Sequence, residues 1–273
     1  YLISLIVFRE LAHGQFSFGH FYVRRIRRLF PALIAVLLAC LVFGGYALFA
    51  DEYQRLGRQA LAAISFLLNI LLMREAGYFD VVSDAKPLLH LWSLSVEEQF
   101  YLVWPVLLVL AMRFRVRLGV LLGVAVAGSF LFAVHLAGSK LDALYFHPFA
   151  RFWELLFGAA LAYAHHRFGV DALPFRHYRV WIRHLLSLAG LMAIGLAMTR
   201  FDGKTPHPGG AALLPLFGAV ALIASGRDGV GNRLLALKPL VWIGLISYPL
   251  YLWHWPLLSY LRILESGAPS PAL

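Results

Sequence analysis

The sequence predicts an all-α protein, a polytopic helical bundle integral to a membrane, and three observations carry the prediction. Hydrophobic residues make up 61% of the 273 positions and charged residues only 14%, whereas a soluble domain is about one quarter charged. Apolar runs near membrane-spanning length recur along the whole chain. Between them, connections crowded with Lys and Arg alternate with connections that hold few, the asymmetry that orients helices across a bilayer. The runs leave no room for a separate soluble domain, so residues 1–273 read as a single transmembrane domain.

Tyr1 lies inside an apolar stretch, YLISLIVF, that stops at Arg9 and Glu10 and is too short to span. With no initiator Met and no signal peptide, the chain reads as a fragment whose beginning is missing. A polar connection containing Gly14 and Gly19 leads to Arg24, Arg25, Arg27 and Arg28, then Pro31 and an apolar helix to about Ala50. Residues 51–58 are polar, and Ala60 to Met73 form an apolar stretch better suited to an interfacial or re-entrant segment than to a span. Pro87 can open the next helix, because the first helical position has no use for an N–H. That helix runs to about Met112. Further helices are expected over roughly 118–137, 149–165, 184–199, 210–225 and 240–261.

Placing the Arg24–Arg28 connection in the cytoplasm, and letting each helix cross once except 60–73, puts 15 Lys and Arg inside and 9 outside. The loops at 113–117, 166–183 and 226–238 are then cytoplasmic, and those at 138–148 and 200–209 face out. A net charge of +10 is thereby explained as topology, and nothing beyond basicity points to nucleic acid. The single Cys40 excludes an internal disulfide. No Gly-rich phosphate loop, zinc-type His/Cys pattern or G-x-S-x-G elbow is present, so no metal is expected.

Four stretches bear chemistry. In KPLLHLWSLSVEEQFYLVWP, helical spacing puts His90, Leu94, Glu97, Glu98 and Tyr101 on or near one face. Carboxylates at membrane depth are costly and must face protein or water; a polar helix entrance at the headgroups is the plainer reading. The arginine cluster contains R-x-x-R twice, and guanidinium groups three residues apart can grip a phosphate together. On charge alone, a stop-transfer signal that also binds lipid headgroups accounts for it better. His147, Arg151 and Glu154, spaced i, i+4 and i+7, share a helical face, where Arg151 and Glu154 either pair together or meet a substrate. In SYPLYLWHWP, His254 sits between two Trp residues after Tyr248 and Tyr251. An aromatic belt explains the rings but does not ask for a histidine, and clustered rings with polar groups also suit a sugar.

Taken together, FYVRRIRRLFPAL, NILLMREAGYFD, PLLHLWSLSVEEQFYLVWP, FHPFARFWELLFGA and ISYPLYLWHWPLL, spanning Phe21 to Leu258, resemble the membrane acyltransferase-3 family of bacterial O-acyltransferases, especially members fused to an extracytoplasmic SGNH-type domain. The resemblance implies transfer of an acyl group, commonly acetyl, from cytoplasmic acyl-CoA to a hydroxyl of a glycan at the outer face, such as a lipopolysaccharide, exopolysaccharide or peptidoglycan sugar. It implies a multi-pass protein of the bacterial inner membrane, in contact with lipid. Under it Arg24, Arg25, Arg27 and Arg28 become candidates for holding the CoA phosphates, and His90, Glu97 and Glu98 form this chain's part of the catalytic group, orienting the acceptor or the family's first-helix histidine base. His147, Arg151, Glu154, Tyr251 and His254 line the substrate site on the outer side.

The family's first helix, with its own Arg and catalytic His, is expected before Tyr1, and a closing helix and any SGNH domain after Leu273. The chain is therefore expected to be truncated at both ends and inactive alone. Two other classes stay open: an exporter or flippase of lipid-linked sugars, which needs intramembrane carboxylates and aromatics but no CoA site, and a non-catalytic membrane scaffold.

Overall fold

The structure, a computed structural model, describes residues 1–75, 86–137, 141–168, 180–202 and 210–265, with 141–143 described by backbone alone. The described residues are helical throughout. In order they form α1 (Leu2–Ala12), α2 (Phe18–Ala47), α3 (Ala50–Ile64), α4 (Leu68–Glu75), α5 (Leu91–Arg113), α6 (Leu118–Ala137), α7 (Leu141–Phe146), α8 (Pro148–Phe168), α9 (Val180–Arg200), α10 (Leu213–Ser225), α11 (Val230–Leu235) and α12 (Lys238–Leu264), with a 3₁₀ turn at Gly210–Ala212. Parts of the expected loops, namely 76–85, 138–140, 169–179 and 203–209, lie outside the described residues, as does the end of the NILLMREAGYFD segment.

Helices α2, α5, α6 and α9 are long and apolar enough to cross a membrane. Their outward side chains are apolar, as lipid requires: Val42, Val124, Leu131 and Met192 are each about two-thirds exposed. The 60–73 stretch departs from its expected form, because it is broken into the end of α3 and the start of α4 by Phe66 at φ 54°. The α3 helix also takes in the polar residues 51–58, its first turn held by the Glu52 carboxylate accepting from the Phe49 N–H at 3.0 Å. At 15 and 8 residues, both helices fall short of the roughly 30 Å hydrocarbon core.

Two further boundaries differ from the sequence reading. Ser17 accepts from the His20 N–H and caps α2 well before the arginines, so the cluster lies inside a 30-residue helix with Pro31 in its interior. Arginine is a good helix former, and a helix in lipid keeps its proline when neighbours satisfy the freed carbonyl. At the other boundary, Pro87 does not open α5. Residues Lys86 to Ser93 are joined by a run of i→i+3 hydrogen bonds, and the helix begins only at Leu91. His90 therefore belongs to a turn and does not share a helical face with Glu97.

The fold groups into two compact units, with one boundary in the connection between α1 and α2 and the other two inside the continuous helices α5 and α12. Unit 1 holds 1–16 and 100–243, and unit 2 holds 17–99 and 244–273. In unit 1, Trp153 is fully buried among Ala133, Leu144, Ala150 and Ala212, and the Trp104 indole donates to Ser4 Oγ at 2.8 Å. There α9 and α10 touch backbone to backbone: a Cβ on Gly190 would stand 2.7 Å from the Gly218 carbonyl oxygen.

In unit 2, Tyr248 donates to the Leu29 carbonyl at 3.0 Å and Tyr260 to that of Cys40 at 2.6 Å. Both partners advance in the same direction, so α2 and α12 run parallel. Trp255 donates to the Lys86 carbonyl and Tyr251 to that of His90, which sets the entrance of α5 antiparallel to α12. Gly44 lets α3 and α12 close on α2, since a Cβ there would meet Leu56 at 2.6 Å and the Tyr260 hydroxyl at 3.0 Å.

Candidate active site

The polar residues of unit 2 line up along the meeting of α2, α5 and α12. At one end, the Arg25 guanidinium grips the Glu98 carboxylate with two bonds, Nε to Oε2 at 2.7 Å and Nη2 to Oε1. The Arg25 side chain is 19% exposed and that of Glu98 8%, so this is a desolvated, bidentate pair. Each partner lies seven residues into its helix, about 10 Å from the end at 1.5 Å per residue. Tyr248 lies within electrostatic reach of both.

This pair corrects the expected layout. The arginine cluster was assigned to the cytoplasmic side and Glu98 to the outer side, yet Glu98 is bonded to Arg25. Helix α2 continues for 22 residues beyond Arg25 to Ala47, some 33 Å, so Glu98 sits low along α2 and far from its other end. Glu97 keeps solvent-accessible surface but lies within electrostatic reach of Glu98 and Arg25, and makes no hydrogen bond or ion pair to a described residue. Arg24, Arg27 and Arg28 are exposed along α2, while Arg25 is committed to Glu98.

His90 lies eight residues before Glu98, beside Tyr251 and His254 of α12. It is 8% exposed, and among the described residues neither ring nitrogen makes a well-formed hydrogen bond, the Leu252 backbone offering at most a loose one. Its ring packs edge-on against Tyr251, 5.2 Å between centroids, and against His254, 5.4 Å. Burial, followed by the neighbouring His254, holds this ring below the ordinary histidine range, with the Leu252 backbone opposing. The Tyr251 hydroxyl donates to the His90 carbonyl at 2.6 Å, which obliges Ser93 to donate to the Tyr251 oxygen, also at 2.6 Å. The Nδ1 of His254 donates to the Tyr251 carbonyl at 2.7 Å, so in the neutral ring Nε2 is the open nitrogen.

The remaining expected site residues, His147, Arg151 and Glu154, belong to unit 1. Arg151 and Glu154 pair at 3.1 Å within α8. His147 precedes that helix, and its Nδ1 accepts from the Phe149 N–H at 3.2 Å while its ring meets Phe132 and Phe149.

Ser93, Asn69 and Gln99 escaped the sequence reading. Asn69 is fully buried, and Gln99 donates to its side chain at 2.8 Å and to the Phe66 carbonyl at 2.7 Å. The pair thus locks the residue next to Glu98 onto α4. Their signal was available: Ser93 follows His90 by three residues, and Gln99 directly follows the two carboxylates. Among the described residues no cluster suited to a metal ion occurs.

A family model described as an acyltransferase domain, that of the acyltransferase-3 family, matches residues 1–270. The chain belongs to this family. YrhL of Bacillus subtilis (strain 168) is 30% identical over 275 residues, covering 94% of this chain and 42% of that protein. The peptidoglycan O-acetyltransferase OatA of Listeria monocytogenes serovar 1/2a is 27% identical over 288 residues, covering 99% of this chain and 45% of OatA. An uncharacterized protein of Haemophilus influenzae is 36% identical over 177 residues, 60% of this chain and 71% of its own length. The acyltransferase domain described here thus spans less than half the length of YrhL and OatA. No solved structure matches it.

Proposed function

We propose that this acyltransferase-3 domain is the membrane part of a bacterial inner-membrane enzyme. It moves an acyl group, acetyl by its likeness to proteins named as O-acetyltransferases, from cytoplasmic acyl-CoA to a hydroxyl of an extracytoplasmic glycan. Peptidoglycan is the acceptor suggested by OatA. One observation carries the reading: a buried histidine whose nitrogens make no well-formed hydrogen bond to a described residue, at the entrance of the helix whose Glu98 grips Arg25 of the arginine cluster on α2.

In this scheme Arg24, Arg27 and Arg28 meet the CoA phosphates. The pantetheine arm reaches along α2 to the level of His90. The acceptor oxygen attacks the thioester carbonyl while His90 takes its proton. Collapse of the tetrahedral intermediate breaks the carbon–sulfur bond, and the CoA sulfur leaves and receives the proton. Glu98 keeps Arg25 in place. The proton-handling role thus falls on His90 within this chain, where the family resemblance pointed to a histidine ahead of Tyr1.

Acyl-CoA binding by the purified full-length protein tests the scheme. Changing Arg24 and Arg28 to Lys keeps net charge and insertion but replaces planar forks with point charges, so acyl-CoA affinity should fall about tenfold or more. Unchanged affinity would return the cluster to a topology signal, and a wild-type protein with no acyl-CoA binding would favour the exporter of lipid-linked sugars.

A further inference from the structure

We infer that Tyr251 is a positioning residue for the transfer reaction: its hydroxyl, braced by Ser93, holds the turn that aims the His90 ring. The inference rests on the proposed role of His90. A histidine is ordinarily oriented through a hydrogen bond to one of its nitrogens, but among the described residues neither nitrogen of His90 makes a well-formed one, the Leu252 backbone offering at most a loose bond. Its backbone and its ring contacts therefore carry much of its direction. The backbone is a turn of i→i+3 bonds, in which the His90 carbonyl takes a bond of 3.3 Å from the Ser93 N–H. The same carbonyl takes the short bond from Tyr251, and the Tyr251 ring packs on the imidazole.

Ser93 closes the chain of hydroxyls, since its donation to Tyr251 turns the phenolic proton toward the carbonyl. One phenol therefore touches His90 at both its backbone and its ring. Tyr260 offers an internal contrast. It makes an equally short bond to a carbonyl, that of Cys40, but this carbonyl lies inside α2, whose backbone is already fixed by the helix.

The experiment is steady-state acyl transfer by the full-length protein in membranes, with Tyr251→Phe, Ser93→Ala, Tyr260→Phe and His90→Ala compared at equal amounts of folded enzyme. Tyr251→Phe should lower kcat by about 10²-fold, the cost of a misplacement near 1 Å, with KM for acyl-CoA and for the acceptor unchanged. Ser93→Ala should lower kcat in the same direction by less, and Tyr260→Phe should stay within a few-fold of wild type. Wild-type kcat for both Tyr251→Phe and Ser93→Ala, alongside a dead His90→Ala, overturns the inference while leaving the role of His90 intact. A raised KM with unchanged kcat also overturns it, making Tyr251 a substrate contact. Equal losses in Tyr251→Phe and Tyr260→Phe reduce it to helix packing. An active His90→Ala overturns the proposed function instead.

Discussion

Replacing Glu98 with alanine should destabilise the folded protein by about 3–5 kcal/mol, the cost of leaving a buried guanidinium without its counter-charge. Arg25 is four-fifths buried and its two bonds to Glu98 are its link to α5. Arg25→Ala should be as damaging, because the orphan is then a carboxylate that is 8% exposed. The pair is not expected to be a large net source of stability, since the desolvation of both ions offsets much of their attraction. Hence Arg25→Met combined with Glu98→Leu should recover most of the loss while abolishing transfer. Thermal unfolding in detergent checks all three variants. A Glu98→Ala protein as stable as wild type would show that the pair is hydrated and loose. Glu97→Ala supplies the comparison and should change stability little, as Glu97 makes no hydrogen bond or ion pair to a described residue.

The largest effect on activity should come from His90→Ala, a loss of about 10² to 10⁴ in kcat, the range supplied by a general base. The cost in stability should be that of the vacated ring packing alone, because the ring gives up no well-formed hydrogen bond to a described residue when it is removed. Initial rates of acyl transfer by the full-length variant, at equal amounts in the membrane, measure this. A rate within a few-fold of wild type would move the base elsewhere and leave His90 as a packed ring.

Much of the helix plan was legible because hydropathy alone decides it. Helix α6 occupies 118–137 as read, and the expected non-crossing of 60–73 agrees with the short lengths of α3 and α4. What escaped were features set by single hydrogen bonds. The start of α2 depends on the Ser17 cap, and the start of α5 depends on a turn that Pro87 permits in either form. The site was legible as a set of residue types and not as an arrangement. His90, Glu98, Tyr251 and His254 stood out because histidines and carboxylates are expensive near lipid. That Arg25 belongs to Glu98 follows from a contact between residues 73 apart, which no periodicity encodes, and this contact overturned the assignment of the two to opposite sides. Arg151 and Glu154, three apart on one helix, are the opposite case: their pairing was one of two readings open from spacing alone, and they pair.

The central claim is that the thioester of the donor meets its acceptor beside His90, between the entrance of α5 and α12. The most direct measurement is photo-crosslinking of the full-length protein with an acyl-CoA analogue carrying the reactive group at its acyl end, followed by mapping of the labelled peptide. The label should fall within Leu88–Ser95 or Tyr248–Trp255 and be competed away by unmodified acyl-CoA. Competed labelling confined to His147–Glu154 would contradict the account and place the chemistry in unit 1.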